Sequence, residues 1–572
     1  MNEELANIFE ELSYMEEIEA EQDPKSKWKA IAYKNAADSI RALSEDIVDL
    51  YNKNKLDEIP GIGEKIKEKI EEYIKTGKIK KYEELKQKYP INFLEFKNIE
   101  GIGPKRAYLF YKYLKITNLE QLKQALYSHK IRELPGFGEK SENALINAIN
   151  IYEQNKIGER KFLALVYDYI QNLVNKLRNS GFFQRVEIAG STRRMKETIG
   201  DIDILGISNN PEKAMDYFTH IEEVKEVISK GITKSTVVLD IGLTCDLRVL
   251  EEGCFGAAMQ YFTGNKDHNV ELRKIAQSKG FKLSEYGLFK EDQIIASSDE
   301  TQIYNALGLD YIPPELRENM GEIEAAINHT LPKLVEYNEI RGDLHTHTND
   351  SDGANSLEEM VEEAEKRNLE YIAITNHTKS LPVAHGMDED RFEKFIEKVE
   401  KIREKYKTYI LIGAEVEILK DGSLDLPSNI LHKLDYVIGA LHQWTKESRE
   451  ELTKRYLVAI NSGLINAIAH PTGRQIGSRP ALDVDFSAIF EACEKNNVVC
   501  EIDGFPERSD LPYDLVKKAK SYNIMFHVSS DAHEVNQLRF LFFATAIARR
   551  GWLEKERILN SYPLQRILSL HR

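Results

Sequence analysis

Apolar residues through positions 1–155 recur every three or four places, and glycine and proline punctuate the run. That spacing lays apolar side chains along one face of a helix, so the stretch reads as helices throughout. From 156 the pattern changes to mixed α/β. A helical period covers 162–180, and apolar runs mark strands near 185–190, 201–207 and 236–250. Residues 251–315 form a smaller mixed unit, and 316–340, preceded by Pro313-Pro314, read as a mostly helical connector. From Arg341 onward short apolar strands at 371–375, 410–417, 436–441, 467–470, 498–502 and 524–529 alternate with amphipathic helices. Such alternation favours an α/β barrel. The expected division is two helical domains over 1–80 and 81–155, an α/β unit over 156–250, the small unit over 251–315, a linker over 316–340 and the barrel over 341–572.

One pattern repeats in the helical region: Ile59-Pro60-Gly61-Ile62-Gly63, Ile99-Glu100-Gly101-Ile102-Gly103 and Leu134-Pro135-Gly136-Phe137-Gly138. The glycines permit a tight hairpin between two helices. Backbone N–H groups at the start of the second helix then face outward, where they can hold a phosphate. Gly61, Gly63, Lys65, Gly101, Gly103 and Lys105 are therefore candidate contacts to a nucleic-acid backbone. In the third copy Glu139 precedes Lys140, and a purely structural hairpin remains an open reading there.

Catalytic chemistry is suggested first by Gly190-Ser191-Thr192-Arg193-Arg194 followed by Asp201-Ile202-Asp203. Alternation along a strand puts Asp201 and Asp203 on one face. Two carboxylates that close repel unless a divalent cation lies between them. The Gly-Ser turn can bring backbone N–H groups against a phosphate, with Arg193 and Arg194 available for its charge. Asp246, in an apolar run over 237–250, supplies a third carboxylate, as two-metal nucleotidyl transfer requires. Asp240 has the same strand parity, so spacing alone does not choose between them.

The second cluster of candidates sits at strand ends after residue 340: His345, His347, Asp352, His377, Glu415, His442, His470, Asp531 and His533. Strand C-termini of an α/β barrel converge on one face. His, Asp and Glu without Cys suit zinc, manganese or iron, and the ligands are too many for one ion. His129, His220, His329, His432 and His571 read as isolated histidines, and His527 falls out of phase with the cluster. His385, in a loop, is open to substrate contact or to no role. Arg474 and Arg479 fit either a substrate phosphate or an ordinary surface.

A chain of 572 residues, 42% apolar and 30% charged, is too long for a single core. No segment approaches the ~20 apolar residues that span a bilayer, and residues 1–21 lack a signal peptide's basic start and apolar centre, so a cytoplasmic location is expected. Cys245, Cys254, Cys493 and Cys500 form no Cys-x-x-Cys pair and read as reduced core residues. The net charge is −16, and the segments before and after residue 340 are both acidic. DNA binding must therefore use local patches such as Lys75, Lys78, Lys80 and Lys81, or Lys105, Arg106 and Lys112, with an affinity that falls steeply with salt.

The two site patterns and their order resemble the bacterial family X DNA polymerases, a polymerase-beta-like core followed by a polymerase-and-histidinol-phosphatase (PHP) domain. The resemblance rests on Gly190-Ser-Thr-Arg-Arg, Gly200-Asp201-Ile-Asp203, Asp246-Leu-Arg248, Tyr261-Phe-Thr-Gly264 with His268-Asn269 and Arg273, and on the His345-x-His347, Asn376-His377, His470-Pro471 and Asp531-Ala-His533 motifs. It implies helix-hairpin-helix domains, a nucleotidyltransferase palm, a thumb-like unit for nucleotide selection and a distorted PHP barrel. Asp201 and Asp203 would hold two Mg²⁺ or Mn²⁺ ions and Asp246 one of them. Ser191, Arg194 and Gly200 would bind the incoming deoxynucleoside triphosphate. Tyr261 and Phe262, otherwise read as core aromatics, would pack on its sugar, Asn269 would contact its base, and Arg273 would face the template. In the barrel, two or three Zn²⁺, Mn²⁺ or Fe²⁺ ions would sit on His345, His347, Glu415 and Asp531; on Asp352, His377 and His533; and on Glu415, His442 and His470. Lys69 falls where polymerase beta keeps a Schiff-base lysine, with a solvated helix lysine as the alternative. Ser284, Asn265, Asn376 and Asp503 depart from the usual family residues. The implied activity is gap-filling synthesis on gapped or nicked duplex DNA, with 3′→5′ excision, in base-excision repair by a monomer. An AP endonuclease or small-molecule phosphoesterase in the PHP domain, or a non-catalytic DNA-end scaffold, are the competing readings.

Overall fold

The computed structural model describes residues 2–570 apart from 21, 22, 42, 44–46, 54, 60, 98, 100, 128, 129, 139, 140, 143, 144, 147, 148, 150–159, 292 and 444–446. Pro60, Glu100, His129, Glu139, Lys140 and His571 thus lie outside the described residues. The chain divides into two units, Met1–Glu159 and Arg160–Arg572.

The first unit is helical. Its turn glycines share one left-handed conformation, with φ of +82° at Gly61, +84° at Gly101 and +82° at Gly136. A residue with a Cβ adopts that region only with strain, which is why glycine recurs there. Gly63 caps helix Glu64–Thr76 and Gly103 caps helix Pro104–Leu114. One apolar cluster runs from Leu5 to Ile149, across the division expected near residue 80.

The second unit begins with a small ladder of β1 (Lys161–Phe162) against β3 (Thr198–Ile199), flanking helix Leu163–Asn179. The palm sheet is built from β2 (Arg185–Ile188), β4 (Asp201–Ile207), β5 (Val224–Lys230), β6 (Lys234–Leu239) and β7 (Thr244–Leu250), in the order β2-β4-β7-β6-β5. The single strand expected over 236–250 is corrected here to two antiparallel strands, β6 and β7. Gly242, at φ +80°, turns the chain between them.

Three short antiparallel strands, β8 (Lys282–Ser284), β9 (Gly287–Lys290) and β10 (Gln293–Ala296), pack with helices Phe255–Thr263, Lys266–Ser278 and Glu300–Ala306 in the thumb-like unit. The connector is corrected too. Only Glu322–Ile327 is α-helical, beside 3₁₀ turns at Pro314–Leu316 and Tyr337–Glu339. Leu316, Ala326 and Leu334 are buried in the thumb-like core, so the segment packs rather than links.

The barrel runs β11 (Gly342–Thr346), β12 (Tyr371–Ile374), β13 (Tyr409–Glu417), β14 (Tyr436–Ala440), β15 (Ala467–Ile468), β16 (Val499–Asp503) and β17 (Phe526–Ser529), all parallel and in sequence order. A bridge between Thr346 and Ala532 joins its first and last strands, with the His347 N–H donating to the Ala532 carbonyl at 2.8 Å. Helix Phe540–Arg550 is apolar on most of its circumference, and a helix of that kind is buried on both sides. Leu541, Ala544 and Ile547 pack on the barrel. Phe542, Phe543 and Ala546 pack on the palm, where Phe542 stacks on Tyr337 at 4.3 Å. Among the described residues no helix is long and apolar enough to cross a membrane.

Candidate active sites

In the palm, β4 pairs in parallel with β7 so that Asp203 lies opposite Asp246. The strand break settles the parity ambiguity. Asp240 falls in the turn and accepts a hydrogen bond from the Tyr169 hydroxyl at 2.5 Å. Asp246 accepts from Thr236 Oγ1 at 2.5 Å and pairs with Lys234 at 3.0 Å. Burial, then the neighbouring Asp201 and Asp246, push the Asp203 carboxyl up to about 7. Three carboxylates crowded in this way are a donor set that fits divalent cations. Gly190 has a φ of +60°, and a Cβ there would come within 2.1 Å of Asp203 Oδ2. The glycine of the Gly-Ser turn is therefore required by the aspartate behind it. Ser191 is half-buried in the short helix that follows, and Gly200 links β3 to β4.

The two arginines are engaged differently from the expectation. Arg193 is not poised for phosphate. It donates to Thr263 Oγ1 at 2.6 Å and to Glu300 at 2.5 Å, and Glu300 also receives Arg317 at 2.7 Å. Burial works against the Glu300 charge, but Arg317 and Arg193 hold the carboxyl down at about 2. Arg194 donates to Glu318 at 3.0 Å and to the Thr263 carbonyl. Tyr261 and Phe262 are half-buried at the end of their helix; Phe262 packs against the small cluster around Leu205 and Phe255, with Arg248 4.5 Å over its ring. The Asn269 amide is turned inward. It accepts from Gln260 at 2.8 Å and donates to the Tyr261 carbonyl at 2.7 Å, so it holds the aromatic pair in place. Arg273 is half-buried on helix Lys266–Ser278, and Lys69 is half-buried on Glu64–Thr76. Among its acidic neighbours, Glu71 is paired with Lys75 and Glu72 accepts from the Lys80 N–H.

At the barrel mouth the strand ends bring all nine candidates together around Glu415. Its oxygens lie 2.9 Å from His377 Nδ1, 3.2 Å from His442 Nε2, 2.8 Å from His470 Nε2, 3.4 Å from His345 Nε2 and 3.6 Å from His347 Nε2. Asp531 Oδ1 is 3.1 Å from His347 Nε2, and Asp352 Oδ2 is 3.4 Å from His377 and 3.5 Å from His533. Three sets have ligand atoms close enough to share an ion: His345, His347 and Asp531; His347, Asp352, His377 and His533; and His377, Glu415 and His442. The grouping differs from the expected one in giving His347 and His377 two memberships each, in giving Glu415 one rather than two, and in leaving His470 beside Glu415. Metal fits this arrangement, because His347 Nδ1, Glu415 Oε2 and His442 Nε2 are buried with no hydrogen-bond partner. Burial, then His533 and His377, push His347 down to about 3, so its ring is neutral with a lone pair to give. His470 and Asp531 also carry positive φ, +27° and +50°. Non-glycine residues hold that conformation where the surroundings over-determine it, commonly at functional sites.

Several residues in this site escaped the sequence reading. Glu501 faces His345 Nδ1 at 2.7 Å and accepts from Ser529 at 2.6 Å. Glu417 faces His442 Nδ1 at 2.8 Å. Such partners fix ring orientation and tautomer. Glu417 has the strand parity of Glu415, a signal that could have found it. Arg508, 3.3 Å from Asp531, comes from the loop after β16 and has no sequence signal. It lines a cavity of about 310 Å³ with Arg479, Asp352, His377, His442 and His533. The Arg474 guanidinium donates to the Arg508 carbonyl at 2.8 Å and to that of Ser509, so part of its donor fork is already used within the loop. Asn376 accepts from the Thr348 N–H at 2.9 Å and steadies the neighbouring loop. His527 is buried behind Glu501, while His385 and His432 are exposed. All four cysteines are free, and Cys254 is half-buried rather than core.

Ion binding in the palm should depend on pH. A carboxyl held at about 7 keeps its proton below that pH, so an ion must displace it there and meets an ionised ligand above it. The Mn²⁺ bound by wild type in excess of Asp203→Asn, measured by titration, should be small well below pH 7 and full well above it. A pH-independent difference counts against this account.

Residues 258–318 match the family model described as DNA polymerase beta thumb. Residues 1–79 match Helix-hairpin-helix domain, 93–150 SAM-like Helix-hairpin-helix tandem, and 343–502 PHP domain. A Bacillus subtilis (strain 168) protein named DNA polymerase/3′-5′ exonuclease PolX is 32% identical over 543 residues, 94% of each chain. A protein of Thermoanaerobacter sp. (strain X514) named Probable phosphatase is 30% identical over 234 residues, 38% of this chain and 89% of its own. Leishmania infantum polymerase beta, solved as a ternary P/T complex, is 22% identical, covers 40% of this chain and 97% of its own, and superposes with a TM-score of 0.28, too low to carry an argument. With identity of that level along nearly the whole of both chains, and with hairpin, thumb and PHP segments following one another in order, this chain belongs to the PolX family.

Proposed function

We propose that this chain is a template-directed DNA polymerase that fills gaps in duplex DNA and excises 3′-terminal nucleotides in its PHP barrel. The observation that carries the reading is the separation of two donor sets. Asp201, Asp203 and Asp246 lie on paired strands of the palm, and nine histidines and carboxylates lie at the barrel mouth. Asp201, Asp203 and Asp246 would hold Mg²⁺ or Mn²⁺, and the barrel residues two or three Zn²⁺, Mn²⁺ or Fe²⁺ ions. When bound, such ions neutralise charge on phosphoryl oxygens and lower the pKa of water. Ser191, Arg194 and Gly200 receive the triphosphate, Tyr261 and Phe262 flank its sugar, and Asn269 holds that aromatic pair. Arg273 serves the template strand. In the barrel, Glu501 and Glu417 orient His345 and His442, and Arg508 and Arg479 offer cations to a phosphate in the cavity. The hairpin glycines with Lys65 and Lys105 hold the DNA backbone. A monomeric state, base-excision repair and a cytoplasmic location complete the reading.

A second reading, a phosphatase acting on a small phosphate ester in the barrel, is supported by the Probable phosphatase relatives, which match about two fifths of this chain over nearly their whole length. A labelled one-nucleotide-gapped duplex, with and without nucleotides and divalent ions, separates the two. Extension with nucleotides and shortening without them is the expected result. Release of phosphate from small esters with an intact DNA end favours the phosphatase.

Substitution should sort the two activities, because distant sites act independently. Asp201→Ala and Asp246→Ala should reduce nucleotide addition to background and leave excision intact. His345→Ala and Asp531→Ala should do the reverse and lower the metal content per folded chain. Glu501→Gln should weaken excision about 10–100-fold, as loss of an orienting partner does. His432→Ala, at an exposed position, should change neither activity. Equal loss of both activities in folded Asp201→Ala protein would sink the two-site reading.

Lys69 is proposed as a Schiff-base nucleophile toward an incised abasic site, on its position after the first hairpin. Borohydride should trap wild-type protein on such DNA. Undiminished trapping by Lys69→Ala would assign the nucleophile elsewhere.

A further inference from the structure

Helix Phe540–Arg550 belongs to the barrel, yet its last side chain ends between segments beside the candidate nucleotide site. Arg550 is fully buried, with Nη1 2.7 Å from Glu197 Oε2 and Nη2 3.5 Å from Glu318 Oε1. Its guanidinium lies 3.8 Å from the centre of the Tyr513 ring. Glu197 immediately precedes β3, and Glu318 lies just after the 3₁₀ turn Pro314–Leu316. One barrel arginine thus ties together two segments that flank the candidate nucleotide site.

Glu318 is the shared element. The Oε1 atom that faces Arg550 also accepts from Arg194 Nε at 3.0 Å. Its Oε2 accepts from Asn265 at 3.2 Å and faces Lys196 at 3.7 Å. Arg194 is the residue assigned above to the triphosphate, and here its charge is spent on a carboxylate. An incoming triphosphate competes with Glu318 for the same guanidinium. Were Arg194 to leave, a carboxylate with only 6% of its side chain exposed would lose a principal partner, and a buried charge without a partner is costly. Arg550 can limit that cost. Its Nε and Nη2 are buried and make no hydrogen bond, so it has donor capacity in reserve on the Glu318 side. Burial works against its charge, but Glu197 and Glu318 more than offset that and keep it a cation.

Resting on the polymerase reading above, we infer that Arg550, supplied by the PHP barrel, is the counter-ion to which Glu318 passes when the triphosphate takes Arg194. Arg550 is therefore a positioning residue for the polymerase site, and the barrel sets that site's affinity for nucleotide.

Steady-state insertion of one nucleotide into a gapped duplex by the full chain tests this. In Arg550→Met the KM for nucleotide should rise on the order of tenfold, with kcat little changed and 3′→5′ excision as in wild type. Adding Glu318→Gln to that variant should return KM toward the wild-type value, because the competitor for Arg194 has lost its charge. Glu318→Gln alone should lower KM, and it keeps the test open if Arg550→Met fails to fold. An unchanged KM in folded Arg550→Met, an elevated KM that Glu318→Gln does not restore, or an unchanged KM in Glu318→Gln alone would each overturn the inference. A purely structural role for Arg550 would depress excision together with insertion and show no rescue. Absence of insertion by wild type would instead defeat the polymerase reading, and this inference with it.

Discussion

Glu415 is a buried carboxylate ringed by five histidines, and the barrel mouth is organised around the need to keep that charge compensated. It sits on β13, near the middle of the seven-strand order, so strands on both sides can deliver a ring to it. Burial alone would push its carboxyl up, but His377, His442 and His345 together hold it well below the ordinary carboxylate range. The same crowding leaves buried donors and acceptors of this cluster without partners, which is the condition a bound cation relieves. The positive φ angles at His470 and Asp531 follow from it, since the chain is bent at two strand ends to aim a ring and a carboxylate inward.

The palm meets the same physical problem with fewer groups. Asp203 is crowded by Asp201 and Asp246, and its carboxyl packs so closely on Gly190 that no side chain fits there. The cations around this site are paired with Glu300 and Glu318 rather than exposed. Charge is therefore held in ion pairs, and an anion entering this site would have to exchange with Glu300 or Glu318. Helix Phe540–Arg550 extends the network. Arg549 reaches Glu315 at 2.8 Å and Arg550 reaches Glu197 at 2.7 Å, so the barrel and the palm-and-thumb region share buried charge as well as apolar surface.

Much of both sites was legible in the chain itself. The Asp201-x-Asp203 spacing and the strand-end histidines are local patterns whose chemistry follows from residue type and period. Spacing alone did not choose Asp246 over Asp240, because both share one parity and only the turn at Gly242 separates them; the Asp246-Leu-Arg248 motif did. The engagement of Arg193 with Glu300 was equally hidden, since its partner lies 107 residues away in sequence. The same holds for Arg508 and Arg550, which read as ordinary loop and helix arginines until the fold brings distant carboxylates to them.

The sequence by itself determined the order of the segments, the strand–helix alternation of the barrel, the repeated glycine turns and the identity of every candidate ligand. These depend on backbone preference and on the period at which side chains return to one face, and both act over a few residues. The tertiary structure alone decided which histidines lie close enough to share an ion, which arginines are already paired, and where the last helix of the barrel places its charge. Those outcomes depend on the burial of charges from remote parts of the chain, and in a low-dielectric interior each buried charge is set by whatever opposite charge the fold delivers to it.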